Sequence, residues 1–208
     1  MKRYAAVMDR GRWLFSQCAG ARKVLDVGSW GSDPPHPSPV FRRLSTRLPS
    51  DTELIACDPA ASQNDYGIAP RTLAEMAGVT CDVVLAGEVM EHIPDSAGFL
   101  ADAARIAPRV CVTFPNPWGL LQMRQVLSGG VPRAYHDHIH WLCPATVANV
   151  AGRAGLEVKS VTPLTCSRGV RRIVAHAASS VLPSLCGSWG IELARMGLKE
   201  AAQRVRLP

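Results

Sequence analysis

Four short apolar runs, each followed at once by glycine or a polar corner, narrow the folds open to this chain. They are Val24-Leu25-Asp26-Val27 before Gly28, Glu53-Leu54-Ile55-Ala56-Cys57 before Asp58-Pro59, Asp82-Val83-Val84-Leu85-Ala86 before Gly87-Glu88, and Val110-Cys111-Val112-Thr113-Phe114 before Pro115-Asn116-Pro117. Short runs with little polar alternation read as strands covered on both faces, the pattern of a parallel sheet. Helical segments separate them. Ser38-Pro39 offers an N-cap and a first-turn proline for a helix over Val40 to Leu48, which Pro49 stops. Ala97 to Ile106 reads as a second helix, and Thr146 to Ala154 as a third with Gly155 at its C-cap. Leu156 to Val161 and Arg171 to His176 read as further strands, and Ile191 to Val205 as a terminal helix.

This alternation predicts an α/β fold: a Rossmann-like, doubly wound, mostly parallel sheet with helices on both faces. The interval between Asp58 and Asp82 is short, so the third-strand region is expected to be shortened. Ligands of such sheets bind beyond the carboxyl ends of the strands, where strand order reverses. The residues that follow the four runs are therefore the candidates for function: Gly28 to Gly31, Asp58, Glu88 to His92 and Pro115 to Trp118.

The first of these loops is not a pyrophosphate loop. A dinucleotide site needs a helix directly after the glycines, so that its N–H groups meet the phosphates. Here Asp33-Pro34-Pro35-His36-Pro37 intervenes, prolines lack the N–H, and the pattern G-x-G-x-x-G is absent. A nucleoside carrying a compact zwitterion asks less of the backbone and fits better.

The chain of 208 residues suffices for one domain with a substantial core, or one with a small appendage. We divide it into a main domain over residues 1–176 and a basic helical extension over 177–208. Residues 1–149 carry 14 Lys/Arg and 14 Asp/Glu, and the remainder carries 9 and 3, so the whole +6 lies in the C-terminal part. That segment suits an acidic lipid surface, a phosphorylated substrate or simply solvent. It lacks the stacking aromatics of a nucleic-acid stripe, so no nucleic-acid partner is expected. Seven dispersed cysteines without a Cys-x-x-Cys pair indicate neither a zinc site nor a disulfide framework. With no apolar run long enough to span a bilayer and no leader-like N-terminus, a cytoplasmic location is expected.

The motifs together resemble a family. Val24-Leu25-Asp26-Val27-Gly28 resembles the first motif of the class I S-adenosylmethionine-dependent methyltransferases, and Asp58 the acid that ends their second strand. Cys81 to Asp95, with its core Ala86-Gly87-Glu88-Val89-Met90-Glu91-His92-Ile93-Pro94-Asp95, is similar to the fourth-strand signature of their small-molecule branch (methyltransferase types 11 and 23). Phe114-Pro115-Asn116-Pro117, the segment His138 to Thr146, and Arg153 to Val158 also look like that branch. The resemblance covers roughly residues 20–176. It implies S-adenosyl-L-methionine as cofactor. Asp26, Gly28, Ser29, Trp30 and Gly31 would shape the methionine end, Asp58 with Pro59 the ribose, and Glu88 with Val89 the adjoining edge. The sequence departs from the family at Trp30 and Ser32, where alternate glycines usually stand. Trp30 either covers the methionine tail or plugs the sheet edge. Asp65 is the one weak candidate for the acid that often contacts adenine.

The implied reaction is methyl transfer to a small molecule, a sugar or a lipid-linked acceptor, at oxygen. The alternative is a non-catalytic binding or scaffold subunit of the same fold. A hydroxyl acceptor benefits from a base near its proton, and histidine suits neutral pH. His140 and His92 are the candidate bases, with Asp137 as the orienting carboxylate. The opposing reading has His138 and His140 merely fix their loop. No metal is expected, because His136, Asp137, His138 and His140 offer no evident further ligand. Trp118, Leu120, Leu121 and Met123 have helical spacing, and core packing is the first expectation for them, an acceptor wall the second. A homodimer is compatible with all of this.

Overall fold

The computed structural model describes residues 6–32, 35–61, 66–131, 137–165 and 170–197. The chain opens with β1 (Met8–Asp9) and α1 (Arg10–Ser16). It continues through β2 (Lys23–Val27), β3 (Trp30–Ser32), β4 (Pro35–Pro37), α2 (Pro39–Arg47), β5 (Glu53–Cys57) and β6 (Ile68–Ala69). Then come β7 (Val83–Gly87), α3 (Ser96–Ile106), β8 (Arg109–Pro115), α4 (Leu120–Leu127) and α5 (Pro144–Arg153). β9 (Leu156–Thr165), α6 (Val170–Val181) and β10 (Ser188–Arg195) complete the described elements.

Eight strands join in one sheet with the order β1-β9-β10-β8-β7-β2-β5-β6, while β3 and β4 pair separately as an antiparallel ribbon. β10 runs antiparallel to both β8 and β9; the other pairings of the large sheet are parallel. From β2 the chain goes to β5 on one side and later to β7 on the other, so order reverses at β2. A cleft is expected beyond the carboxyl ends of β2 and β7.

Both faces of the sheet are covered. Phe99, Leu100, Ala103, Val147 and Ala151 of α3 and α5 pack against Leu25, Val84, Val110 and Val112. On the other face Trp13, Leu14 and Leu44 of α1 and α2 meet Val24, Val83, Leu85 and Cys111. Side-chain caps fix where helices begin: Asp9 accepts from the N–H of Arg12, Ser38 from Phe41, and Asp95 from Gly98. The Asp82 carboxylate accepts from the N–H groups of Arg22 (2.7 Å) and Lys23 (2.8 Å), which ties the start of β2 to that of β7.

The expected sheet, its covered faces and the shortened third strand are all present; β6 is only two residues long. Two expectations toward the C-terminus are corrected. Arg171 to His176 lies in helix α6, because the run extends through Ala177 and Ala178 to a length that suits a helix. Ile191 to Arg195, expected as helix, belongs to strand β10 instead; residues 198–208 lie outside the described residues. Trp189, Ile191 and Leu193 are buried between β8 and β9, and this packing overrides the local helical preference of Glu192, Leu193 and Ala194. The division at 176/177 consequently falls inside α6, and part of the expected extension is a central strand of the sheet. Among the described residues no helix is long and apolar enough to cross a membrane.

Candidate functional site

β2 ends in a corner that only glycine fits. Gly28 has φ +75°, and a Cβ there would lie 2.4 Å from Cγ2 of Val89. The corner thus presses the exit of β2 against the exit of β7. The N–H of Gly28 donates to the carbonyl of Cys57 (3.0 Å), which draws in the end of β5 as well. Beneath this corner Asp26 is buried, its Oδ2 accepting from the Ser29 hydroxyl (3.0 Å), which also donates to the Asp26 carbonyl (2.8 Å). Burial pushes the Asp26 carboxyl up to about 7, against the Ser29 hydrogen bond and assisted by the nearby charge of Asp58.

Asp58 follows β5 and is also buried. Its Oδ2 accepts from the N–H of Trp30 (3.0 Å) and its Oδ1 from that of Ala60 (2.8 Å), across the exposed Pro59. An ionised carboxylate has about four acceptor positions, so two backbone donors leave capacity for a ligand's hydroxyls. Trp30 does not stand over Gly28. Its side chain packs on the cluster of Phe41, Ala56, Ala61 and Ile68 at the β5 and β6 side, with the Tyr66 ring centroid 6.2 Å away. Of the two alternatives for this residue, the contacts match the plug of the sheet edge. Gly31 lies in β3 against His36, whose Cε1 would be 3.0 Å from a Cβ at that position. Asp65, the weak adenine candidate, lies outside the described residues.

Glu88 leaves β7 with φ +59°, a left-handed conformation that costs a non-glycine residue about 1–2 kcal/mol. Three partners hold it there. Its N–H donates to the Thr113 carbonyl (2.9 Å), its Oε1 accepts from the Ser188 hydroxyl (3.0 Å), and its Oε2 pairs with Arg10. Neither Arg10 nor Ser188 carried a sequence signal, since one lies before the first motif and the other on the unexpected strand β10. Val89 packs over Gly28.

A second cluster begins one residue later, in a short 3-10 turn over Met90–His92. Glu91 is 1% exposed, and neither carboxylate oxygen has a hydrogen-bond partner among the described residues. Its carbonyl accepts from the N–H groups of Ile139 (2.9 Å) and His140 (3.2 Å), so the histidine-rich segment docks on this turn. His92 places Nδ1 3.4 Å from the Asp137 carboxylate, and its ring meets that of His138 edge-on at 4.7 Å. His140 has Nε2 3.0 Å from the Ile93 carbonyl, a loop-fixing contact. Burial pushes the Glu91 carboxyl up to about 7, opposed by the residue's own backbone N–H dipole and by Arg10, and reinforced by Asp137. Burial, then the His92 charge, holds His138 below the usual imidazole value, with Asp137 opposing.

The ligand atoms of Glu91, His92 and His138 all lie within 4.8 Å of one another, close enough for one ion to touch all three. Sequence reasoning weighed a metal set within 136–140 and missed Glu91, because a glutamate in a polar signature after a strand carries no sign of its burial. His136 lies outside the described residues. The structure therefore joins His92, His138 and Asp137 around Glu91, and gives His140 a backbone partner.

The β8 corner is a rigid support. Asn116 is buried, donating from Nδ2 to the carbonyls of Ser184 and Cys186 (both 2.8 Å) and accepting at Oδ1 from the Trp118 N–H (3.1 Å). The following α4 buries none of its residues, and Trp118 and Leu121 are 59% and 66% exposed. Core packing, the first expectation for Trp118 and Leu121, is corrected: they follow a strand's carboxyl end with apolar surface open to solvent.

The chain aligns over 89% of its length with the crystal structure of a magnesium protoporphyrin IX methyltransferase from Synechocystis with bound SAH, at a TM-score of 0.53 and 18% identity, covering 80% of that chain. A small RNA methyltransferase aligns over 95% of this chain and 27% of its own, at a TM-score of 0.58 and 14% identity. The fold is that of the class I S-adenosylmethionine-dependent methyltransferases. Within this methyltransferase fold, sequence similarity runs to several curated proteins named ubiquinone biosynthesis O-methyltransferase. That of Neisseria meningitidis serogroup A is 33% identical over 101 residues, 45% of this chain and 42% of the relative. That of Thiobacillus denitrificans is 34% identical over 92 residues, 40% of each. The aligned region thus spans less than half of the curated relatives it matches. No protein-family model matches the chain. The structural neighbours act on acceptors as unlike as a porphyrin and an RNA, so the fold does not choose the acceptor.

Proposed function

We propose that this chain is an S-adenosyl-L-methionine-dependent methyltransferase acting at a hydroxyl oxygen of a small molecule. The observation that carries the reading is the convergence, at one sheet edge, of the Gly28 corner, the Asp58 carboxylate and the buried Glu91 beside His92 and His138. The first two fit the cofactor. Asp58 keeps acceptor capacity for ribose hydroxyls, and the elevated Asp26 carboxyl under Gly28 is ready to ionise beside a cationic amino acid. When bound, the cofactor supplies a methyl on a sulfonium, already a good leaving group. The chain's own task is to align the acceptor oxygen and receive its proton.

Glu91, His92 and His138 perform that second task. With a pKa about 7, Glu91 can take a proton near neutrality, and His92 is oriented through Asp137. The same three groups fit a divalent cation, with one carboxylate and two imidazoles. A cation there would stabilise the ionised acceptor oxygen. The names of the curated relatives support oxygen as the acceptor atom. Exposed Trp118 and Leu121 favour an acceptor with an aromatic or aliphatic face over a bare sugar.

A second reading, a non-catalytic subunit, draws on Asp58 already serving two backbone donors and on Val89 filling the space over Gly28. One experiment separates the two. The protein is incubated with S-adenosylmethionine and a panel of phenolic, catecholic and aliphatic alcohols, with and without magnesium, manganese or zinc, and the demethylated cofactor is measured. Turnover that Glu91→Gln abolishes supports the enzyme. Saturable cofactor binding without turnover on any acceptor supports the subunit.

A further inference from the structure

We infer that the carboxyl end of the sheet docks on the surface of an anionic lipid bilayer, with α4 as the element that enters the headgroup layer. Among the described residues ten large apolar side chains are exposed, and nine of them fall in the segments 118–131, 139–141 and 181–182. The fold brings these three segments to one end. Trp118 follows the carboxyl end of β8. Ile139 is held by the Glu91 carbonyl beyond the end of β7. Leu182 precedes a turn whose Ser184 carbonyl accepts from Asn116, and β10 then starts at Ser188 beside Pro115. The helices that cover the two faces of the sheet, α1, α2, α3 and α5, expose no large apolar side chain. Single exposed apolar residues are ordinary, but their concentration at one end marks an interaction surface.

Charge names the occupant. The sequence has no acidic residue between Asp102 and Asp137, and none between Glu157 and Glu192. Arg124 is exposed on α4, and α6, which the chain reaches from the carboxyl end of β9, carries Arg171 and Arg172 in its first turn. The acids that do reach this end are engaged: Asp95 caps α3, Asp137 lies against His92, and Glu88 pairs with Arg10. Exposed tryptophan and leucine among arginines, with no free acid, is the composition that settles into an anionic headgroup layer. A two-fold contact between copies sets two such cationic faces against each other, whereas phosphate headgroups neutralise them. No described helix is long and apolar enough to cross a membrane, so the contact is with one leaflet. α4 buries none of its residues, and Leu127 is 81% exposed, so this helix can sink among headgroups without unpacking the core.

One consequence rests on the proposed function: the Glu91, His92 and His138 cluster lies at this same end, so the acceptor hydroxyl belongs to an amphiphile held in the bilayer. The test is flotation of the full chain with vesicles of pure phosphatidylcholine and of phosphatidylcholine mixed with phosphatidylglycerol. The protein is expected to rise with the mixed vesicles, about fivefold or more above the neutral ones, and to be released by high salt. Leu127→Gln and Arg124→Glu, at exposed positions outside the proposed site, are each expected to keep the wild-type circular dichroism spectrum and to lose about five- to tenfold in vesicle affinity. Lipids brominated in their acyl chains should quench the tryptophan fluorescence of the wild type, and that of Trp118→Phe much less. Folded wild type that does not float with the mixed vesicles would overturn the docking, as would equal flotation of wild type and both variants. A dimer in lipid-free sedimentation that Leu127→Gln splits would assign the face to a second copy and overturn it too. Titration with S-adenosylhomocysteine, run in parallel, separates the two readings. Cofactor binding without flotation defeats the docking alone. Flotation without cofactor binding defeats the proposed function and the amphiphilic acceptor, while the docking stands.

Discussion

Asp26→Asn is expected to make the protein more stable at neutral and alkaline pH. Burial raises the Asp26 carboxyl from 3.8 to about 7, so the folded chain holds a proton that the unfolded chain has released across that window. For a carboxyl whose folded pKa is raised, stability falls as pH climbs from the unfolded value toward the folded one, and stays low above it. At about 1.4 kcal/mol per tenfold in proton affinity, the difference amounts to at most about 4 kcal/mol above pH 7. Asparagine has nearly the same shape, cannot ionise, and keeps an oxygen to accept from the Ser29 hydroxyl, which now lies 3.0 Å from Oδ2. Urea denaturation at pH 4, 6 and 8 is the assay. The variant should match the wild type within about 1 kcal/mol at pH 4 and exceed it by about 2–4 kcal/mol at pH 8. A stability difference independent of pH, or a loss at pH 8, would refute the burial argument. On the proposed cofactor site the same substitution should also weaken cofactor binding, because it removes the carboxylate that the proposal sets beside the ligand's cationic tail.

Other outcomes follow from single contacts. Gly28→Ala meets both a positive φ and Val89 at 2.4 Å, and should cost several kcal/mol in denaturation, about 3 or more by the usual penalties for strain and overpacking. Glu91→Gln should remain folded, since it removes an ionisable group that has no hydrogen-bond partner among the described residues, yet lose any rise in melting temperature produced by manganese or zinc. An undiminished metal-induced shift in that variant would take Glu91 out of the site. Arg10→Ala removes the partner of Glu88 Oε2 in a partly exposed pair, so stability should drop by about 1 kcal/mol or less, which a thermal melt resolves.

What the sequence discloses here is what local chemistry writes down. The apolar runs of β2, β5, β7 and β8 and the cap at Ser38 are visible because periodicity and capping act within a few residues. Asp58 is visible because it follows a buried strand. The identity of β10 is not, since Glu192 and Ala194 suit a helix, and only the slot between β8 and β9 makes them strand residues. The partners of Glu88 are hidden for the same reason: Arg10 and Ser188 are distant in sequence and reach it through the sheet. Glu91 looks like a surface residue of a polar signature until the segment around Ile139 and His140 closes over it. Trp30 is legible as a departure from a glycine loop, but its direction toward Ile68 is a tertiary fact.

The measurement that bears most directly on the proposed function is calorimetric titration of the protein with S-adenosylhomocysteine, run beside Asp58→Ala. One saturable site per chain is expected, weakened in the variant by about 1–3 kcal/mol as ribose hydroxyls lose a charged acceptor. No saturable heat from the folded wild type, or the same affinity in a folded Asp58→Ala, would contradict a cofactor site at this sheet edge.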